Sequence, residues 1–244
     1  MNIKNIIKRV FLKERASSQE YIKYLRKLGV EIGEDCDIFV PTKTVIDVQN
    51  PWMLKIGDYV RITDGVKILT HDYSWSVLKR LESDSENNGR ILGAIGPVEI
   101  GNNVFIGMNA IITRNVKIGD NVIIGAGSIV THDCESNSVY AGNPAKRIMS
   151  IEEYYKKRVK LQLDEAVKIA RYYQKRNGKK PPRTIFAEYC MLFSEWDDVK
   201  REQAFFEKAN LCSNIEATQS YIDTHKPMFN SYEEFLEYCF ENSH

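Results

Sequence analysis

The feature that most constrains this chain is a six-residue repeat between Val98 and Val130. An aliphatic residue stands at every sixth position: Ile100, Ile106, Ile112, Ile118, Ile124 and Val130. A second series stands two positions ahead of it: Val98, Val104, Ala110, Val116, Val122 and Ser128. Because residues two apart in an extended chain face the same side, each repeat predicts a short strand with a paired inward face. Gly or Asn follows in most repeats and suits tight turns. A period of six fits neither an amphipathic helix nor a hairpin meander, so it predicts a coil around its own core.

The same register extends towards the N-terminus. Counting in sixes from Ile32 gives Ile38, Thr44, Asn50, Ile56, Ile62 and Ile68, of which Thr44 and Asn50 are weak members. The interval from Ile68 to Ile100 is not a multiple of six, so a segment is inserted at about 72–96. The insert is long, polar and flanked by glycine, which is typical of functional loops.

These repeats resemble the hexapeptide-repeat acyltransferases, in particular those that O-acetylate sugars and capsular polysaccharides. The resemblance implies a mainly β fold, a left-handed parallel β-helix. The hand comes from the resemblance alone, since the usual crossover rule would give a right-handed coil. We expect N-terminal helices over 1–29, the β-helix over 30–149 and an all-helical C-terminal extension over 150–244.

The segments outside the repeat have helical patterns. Residues 2–14 place apolar side chains on one helical face and basic ones on the other, which fits either a helix packed on its own protein or one resting on an anionic membrane surface. Ser17 and Glu20 form the sequence of a capping box, and Gly29 would end the helix that follows. Its predicted buried residues are Tyr21, Leu25 and Leu28.

The C-terminal extension predicts one long amphipathic helix from about Ser150, ended by Asn177-Gly178 and Pro181-Pro182. Shorter helices are expected near 184–196, 198–210, 215–224 and 232–241. The resemblance does not account for this extension. It could cap the β-helix, build an oligomer or contact a large acceptor.

Composition limits the functional classes. The formal net charge of +1 does not indicate nucleic-acid binding. Five scattered cysteines without a CxxC pair predict neither a disulfide framework nor a zinc site. The apolar runs are shorter than the roughly 20 residues of a membrane span, and no signal-peptide pattern is present. We therefore expect a cytoplasmic protein, at the inner face of the membrane if residues 2–14 bind there.

His71 is the candidate general base. It follows the coil that ends at Ile68 and immediately precedes the inserted loop. A sugar hydroxyl is a poor nucleophile at neutral pH, and an imidazole can accept its proton during attack. In the family that the chain resembles, the catalytic histidine stands in this sequence context. His132, His225 and His244 lack it.

The donor implied by the resemblance is acetyl-CoA, bound between two subunits of a homotrimer. Matching the family pattern, the amide of Met108 would stabilise the charge that develops on the thioester oxygen. Gly125 and Ala126 would lie beside the pantetheine, and Thr131 nearer the adenine. Lys146 and Arg147 follow a GNPA motif and suit the phosphates of coenzyme A, although they could equally be ordinary solvated charges.

Three residues are candidates for binding the acceptor. Asp47 resembles an aspartate that grips an acceptor hydroxyl in some sugar acetyltransferases, but its spacing to His71 differs by two residues. Tyr73 and Trp75 could stack on a sugar ring or pack within the loop. No metal is expected, because a carbonic-anhydrase site on a similar β-helix needs three histidines for each zinc.

The sequence thus predicts an acetyl-CoA-dependent O-acetyltransferase that modifies a sugar of a surface polysaccharide or its precursor. The alternatives are an N-acetyltransferase of a nucleotide-linked amino sugar and an acetyltransferase of antibiotics. A non-catalytic scaffold that uses the β-helix as a spacer would leave His71 and the inserted loop without a role.

Overall fold

A computed structural model describes residues 12–80 and 89–241. The chain forms two compact units, Met1–Tyr154 and Tyr155–His244. The predicted helix at 2–14 falls mostly on residues 1–11, which lie outside the described part of the chain. No described helix has both the length and the apolar character needed to cross a membrane.

The first unit is built from three sheets. The first sheet contains β1 (Glu31–Ile32), β4 (Leu54–Ile56), β7 (Val98–Ile100) and β10 (Val116–Ile118). The second contains β2 (Asp37–Ile38), β5 (Arg61–Ile62), β8 (Phe105–Ile106), β11 (Val122–Ile124), β13 (Ser138–Ala141) and β14 (Lys146–Ser150). The third contains β3 (Val45–Ile46), β6 (Lys67–Ile68), β9 (Ile111–Ile112) and β12 (Ile129–Val130). All pairings are parallel except that of β13 with β14.

Successive strands from β1 to β12 enter the three sheets in turn, so every three strands complete one coil. Equivalent residues of the repeat are paired between coils: Ile56 with Ile100, Ile62 with Ile106, and Ile68 with Ile112. The inward residues of the repeat are buried, apart from the half-buried Cys36, and the aliphatic ones form one continuous core. This arrangement is consistent with the predicted parallel β-helix, and its hand stays a prediction.

Asparagines occupy several of the turns, as the repeat predicted. Asn103, Asn109, Asn115 and Asn121 all have positive φ between 53° and 59°. Asn103 donates a side-chain hydrogen bond of 2.8 Å to Asn121, which donates one of 2.9 Å to Asn137. A turn position that disfavours most side chains therefore also links neighbouring coils.

The sixfold count is wrong between Ile38 and Ile56. It predicted two inward strand positions, at Thr44 and Asn50, where the structure has a single strand, β3. A turn at residues 40–44 adds two residues, and a 3₁₀-helix at Pro51–Met53 belongs to a further insertion of four. The two insertions together equal one repeat, so the count returned to register at Ile56 and concealed both of them.

The outward faces of two of the sheets differ in chemistry. On the first sheet the outward residues alternate in charge, as Glu31, Lys55, Glu99 and Lys117. Lys55 forms an ion pair of 2.7 Å with Glu31. On the third sheet the corresponding residues are Val45, Lys67, Ile111 and Ile129, which are mostly apolar. Only the first sheet therefore presents the alternating charges that suit a face in contact with water.

Helix α1 (Ser18–Leu28) packs on the first coils. The Ser17 side chain accepts a hydrogen bond from the Glu20 amide, and Gly29 ends the helix in the left-handed conformation, as predicted. Tyr21 and Leu25 are buried as expected. Ile22, and not Leu28, is the third buried residue, while Leu28 is 37% exposed.

The second unit is helical, as predicted. Its helices are α3 (Ile151–Asn177), which begins in the first unit, α4 (Trp196–Arg201), α5 (Gln203–Ala209), α6 (Ile215–Thr224) and α7 (Tyr232–Glu241), with a 3₁₀ segment at Arg183–Leu192. Its core is aromatic, with Phe186, Phe193, Phe205 and Phe235 all 2% exposed or less. The short helix α2 (Trp75–Leu78) lies in the inserted loop of the first unit.

Candidate functional site

The predicted site residues fall at two corners of the coil. The Met108 corner comprises the turns at 63–66, 107–110 and 125–128, which precede third-sheet strands, and the segment 142–145, which precedes β14 and is hydrogen-bonded to Ile129 of β12. The His71 corner comprises the segments that follow those strands, at 47–49, 69–73, 113–115 and 131–133. The strands of the third sheet separate the two corners within one chain.

The inserted loop starts and ends in an antiparallel ladder at the His71 corner. His71 pairs with Ile95, the Asp72 amide donates to the Ala94 carbonyl at 2.9 Å, and the Gly96 amide donates to the Thr70 carbonyl at 2.9 Å. The backbone on either side of His71 is therefore fixed by hydrogen bonds, although His71 belongs to a loop. Its side chain is 22% exposed.

Asp47 lies directly against His71. β3 and β6 are paired in register, so the residues that follow them meet in adjacent coils. One oxygen of Asp47, Oδ2, accepts hydrogen bonds from the Thr70 amide at 3.0 Å, from the Thr70 hydroxyl at 2.6 Å and from Nδ1 of His71. The other oxygen accepts from the Gln49 amide at 3.0 Å. The Asp47 side chain is only 7% exposed.

These contacts determine the charge of Asp47. Burial alone would raise the pKa of its carboxyl group, but the hydrogen bonds from Thr70, Gln49 and His71 outweigh it and lower the pKa from 3.8 to about 2. Asp47 is therefore a carboxylate at neutral pH and only accepts hydrogen bonds. Nδ1 of neutral His71 must carry the proton it shares with Asp47, so Nε2 is left as the basic nitrogen.

Both oxygens of the buried Asp47 side chain accept hydrogen bonds from the protein itself. That Asp47 grips an acceptor hydroxyl stays a prediction. The sequence prediction omitted Thr70, which is 0% exposed and supplies two of the hydrogen bonds. Thr70 could have been proposed from the sequence as a hydrogen-bond donor, because it immediately precedes His71. A buried carboxylate next to a histidine needs further hydrogen-bond donors.

The loop aromatics lie beside His71. The Tyr73 ring meets the imidazole edge to face with centroids 5.3 Å apart, and Trp75 lies 6.0 Å from Tyr73. Tyr73 is 59% exposed, so one side of its ring faces solvent. The residues predicted to contact the acceptor are thus grouped around the predicted base.

An ion pair between Asp72 and Arg114 also stabilises the inserted loop. Asp72 accepts a hydrogen bond of 2.8 Å from Arg114, which follows β9 in the next coil. The Ser74 hydroxyl and Arg114 both lower the pKa of Asp72. Sequence reasoning did not identify this pair, because the two residues are 42 positions apart and neither belongs to a motif.

The Met108 corner presents backbone groups. The Met108 carbonyl accepts from the Gly127 amide of the next coil at 2.7 Å, which stacks Met108 beside Gly125 and Ala126. Among the described residues the Met108 amide has no hydrogen-bond partner. Its side chain is 50% exposed. The corner continues through Gly142 to Lys146 and Arg147, which are exposed at the start of β14.

Thr131 lies elsewhere. It belongs to the His71 corner, where its hydroxyl is 2.8 Å from Nδ1 of His132. Within one chain the structure therefore groups Met108, Gly125 and Ala126 at one corner, and Asp47, His71, Tyr73, Trp75 and Thr131 at the other. The two predicted catalytic groups, the His71 imidazole and the Met108 amide, are not brought together by a single copy.

Comparison with known proteins identifies the family. Residues 97–132 match the bacterial transferase hexapeptide family (six repeats). Protein CapG of Staphylococcus aureus is 44% identical over 150 residues, which cover 61% of this chain and 81% of that protein. This chain is a hexapeptide-repeat transferase. The relationship makes it an enzyme and confirms the family resemblance that the repeat suggested.

Solved structures also match this transferase. A maltose O-acetyltransferase from Clostridium difficile 630 is 26% identical, with a TM-score of 0.37, covering 61% of this chain and 89% of that one. A hexapeptide-repeat acetyltransferase from Vibrio cholerae is 21% identical, with a TM-score of 0.43, covering 61% of this chain and 89% of that one.

Proposed function

We propose that this transferase is an O-acetyltransferase that moves an acetyl group from acetyl-CoA to a sugar hydroxyl of a surface polysaccharide or its precursor. The observation that carries the proposal is that Asp47 accepts hydrogen bonds from both Thr70 and His71, beside the loop that carries Tyr73 and Trp75. The family membership supports a transferase, and the sequence resemblance supports the donor and the class of acceptor.

In the proposed reaction, Nε2 of His71 takes the proton from the acceptor hydroxyl as its oxygen attacks the acyl carbon. Asp47 holds the imidazole in the tautomer that makes Nε2 the base, and its negative charge stabilises the imidazolium that forms. The Met108 amide donates to the oxyanion of the tetrahedral intermediate. His71 then returns the proton to the departing thiolate. The donor supplies the acyl group as an activated thioester.

Lys146 and Arg147 suit the donor's phosphates. Both are exposed cations beyond the last turn of the Met108 corner. Their backbones pair with β13, and neither side chain forms a hydrogen bond or ion pair within the part of the chain that the structure describes. The turns at 107–110, 125–128 and 142–145 of the same corner consist mainly of Gly, Ala, Ser and Asn, so their backbone amides are little covered by side chains other than Met108 and Pro144. This chemistry fits an elongated ligand with a phosphate group at one end and an acyl group at the other.

We further propose that the active site forms between copies of the chain, in a homotrimer. His71 and Met108 lie at opposite ends of third-sheet strands, so one copy would have to supply the base and its neighbour the amide. The apolar outward residues of the third sheet, Val45, Ile111 and Ile129, support contact between copies, because isolated monomers seldom expose such rows.

The assembly is tested with a charge placed on that face. Ile111→Glu should convert the trimer to a monomer in light scattering and abolish turnover. Lys117→Gln changes the outward residue of the first sheet without placing a like charge opposite Glu99, and it should leave the trimer intact. A fully active monomeric wild type would refute the assembly and the shared site together.

The chemistry is tested by substituting the base. His71→Ala should lower turnover of hydroxyl acceptors by about 10²–10⁴-fold, while acetyl-CoA affinity changes little, because the base acts on the proton. The matched control is His132→Ala, at the same corner two coils further on, which should keep near-wild-type activity. Thiol release from acetyl-CoA is measured with neutral sugars, amino sugars and an antibiotic as acceptors. Near-wild-type turnover of a hydroxyl acceptor by His71→Ala would refute the mechanism, and exclusive turnover of amines would favour N-acetylation.

A further inference from the structure

The second unit contains a groove that the proposed transfer reaction does not use. It has a volume of about 650 Å³ and is lined by Lys168, Ile169, Tyr172, Tyr173, Arg176, Asn177 and Ile185. All of these except Ile185 belong to the last turns of α3. A volume in this range is typical of small-molecule sites.

The groove lies in the most basic stretch of the chain. Residues 168–183 contain Lys168, Arg171, Lys175, Arg176, Lys179, Lys180 and Arg183, and no Asp or Glu. The whole chain has a net charge of only +1, so the positive charge is concentrated locally. Arg171 donates to the Cys239 carbonyl, and Arg183 pairs with Asp198. Those two cations therefore serve the fold of the second unit.

Lys168 and Arg176, the two cations of the groove, do not make contacts of the kind that Arg171 and Arg183 make. Within the described ranges, neither the Lys168 side chain nor the Arg176 side chain forms a hydrogen bond or an ion pair, and no acidic side chain lines the groove. Glu165, one turn before Lys168, is paired with Arg158, and its pKa is lowered mainly by Arg158 and to a smaller extent by Lys168. Lys168 and Arg176 both stand four residues from Tyr172, so all three lie along one helix face, and the two cations are about 12 Å apart along the axis. The Tyr172 ring between them is 67% exposed. The rest of the lining consists of the aliphatic Ile169 and Ile185 together with Tyr173 and Asn177.

We propose that this groove binds an anionic saccharide chain. A pyranose ring presents C–H groups that pack on a tyrosine ring and on isoleucine side chains, and acidic groups on neighbouring sugars pair with Lys168 and Arg176. The apolar lining between two cations favours a saccharide over a nucleic acid, which would need a continuous basic surface. The proposal concerns binding in the second unit and stands apart from the transfer reaction.

The test is calorimetric titration of the intact protein with an octamer of galacturonic acid. Three reference ligands are maltooctaose, which has sugar rings without charge, polyglutamate, which has carboxylates without rings, and duplex DNA. The galacturonate octamer should bind more tightly than all three, because only it supplies both rings and carboxylates. Added salt should weaken its binding without abolishing it.

Matched variants separate the ring from the charges. Tyr172→Ala, and the double variant Lys168→Ala with Arg176→Ala, should each weaken octamer binding by about tenfold, equivalent to about 1.4 kcal/mol. Tyr155→Ala removes a tyrosine of the same helix that is 64% exposed outside the groove, and Lys160→Ala removes a cation there. Both controls should bind as the wild type does.

Three outcomes would overturn the proposal. They are an absence of octamer binding, equal affinity for maltooctaose, polyglutamate or DNA, and a Tyr172→Ala variant that binds like Tyr155→Ala. Circular dichroism of each variant establishes that a loss of binding is not a loss of fold. Loss in both groove variants, together with intact controls, supports the site.

Discussion

Substituting Asp47 by Asn separates the orientation of His71 from its presence. The change removes one negative charge and keeps the size of the side chain. If the amide oxygen of the new side chain faces His71, its NH₂ group faces the Gln49 N–H. Both groups are hydrogen-bond donors, so that hydrogen bond is lost. If the amide is reversed, its nitrogen faces the Thr70 donors, and Nδ1 of His71 becomes an acceptor. Nε2 then carries the proton, and the neutral ring has no base at the reacting side.

The size of the effect follows from the pKa of Asp47. Its surroundings lower that pKa from 3.8 to about 2, a preference for the carboxylate of about 2.5 kcal/mol. If the imidazolium loses similar stabilisation, kcat falls by about 10²-fold. Inversion of the tautomer adds to this loss, so the expected decrease is about 10²–10⁴-fold. The acetyl-CoA affinity should be unchanged, because Lys146 and Arg147 belong to the other corner.

The same pKa predicts a pH-dependent loss of stability. The folded-state pKa is below the unfolded value, so the carboxylate stabilises the fold fully above about pH 4 and loses that contribution as the pH falls towards 2. Asp47→Asn should therefore cost about 2–3 kcal/mol in the free energy of unfolding at pH 7, and less at pH 3. Urea denaturation at the two pH values measures the difference.

The control is a neighbouring carboxylate. Asp72→Asn removes an equivalent charge, whose partners are Ser74 and Arg114. Because this ion pair is partly exposed, its loss should lower kcat by less than about tenfold. An Asp47→Asn enzyme with kcat close to that of the wild type would refute the orienting role. Equal losses in the two variants would show that the loop, and not the base, had been disturbed.

Three further predictions concern the Met108 corner. Gly107→Ala should destabilise the fold by about 2–4 kcal/mol in urea denaturation, because an added Cβ would lie 2.5 Å from the backbone nitrogen of Ala126. Met108→Ala should change kcat by less than about threefold in the thiol-release assay, because the backbone amide is the proposed donor; a large loss would assign the function to the side chain. Lys146→Ala with Arg147→Ala should weaken CoA binding by about 1–2 kcal/mol in calorimetry, and an unchanged affinity would remove them from the donor site.

The sequence was informative wherever its period was unbroken. From Val98 to Val130 the repeat predicted the inward residues, because a six-residue period leaves each strand one choice of face. It failed between Ile38 and Ile56, where insertions of two and four residues summed to one period. A periodic pattern reveals an insertion only if the insertion shifts the register, and these two insertions together restored it.

The site could be predicted only in part for a related reason. His71 was recognisable from its local context, the end of a coil and the start of a loop. The contact of His71 with Asp47 depends on which residues of neighbouring coils lie side by side. The insertions between Ile38 and Ile56 change the sequence separation between residues that lie side by side, so the repeat alone did not place Asp47 against His71. The pairing of Asp72 with Arg114 crosses the large insert and has no local signal. Side-chain contacts between coils could be identified only from the structure.

The alternating charges on the first sheet have a consequence for the order in which the coils assemble. In the native stack Lys55 stands between Glu31 and Glu99, so each outward residue has a neighbour of opposite sign. A misfolded chain that looped out the coil containing β4 would pair β1 directly with β7 and place Glu31 beside Glu99. Like charges opposite each other on adjacent strands are destabilising. Since the inward residues are interchangeable aliphatics, the surface charges distinguish a correct stack from one that has skipped a coil.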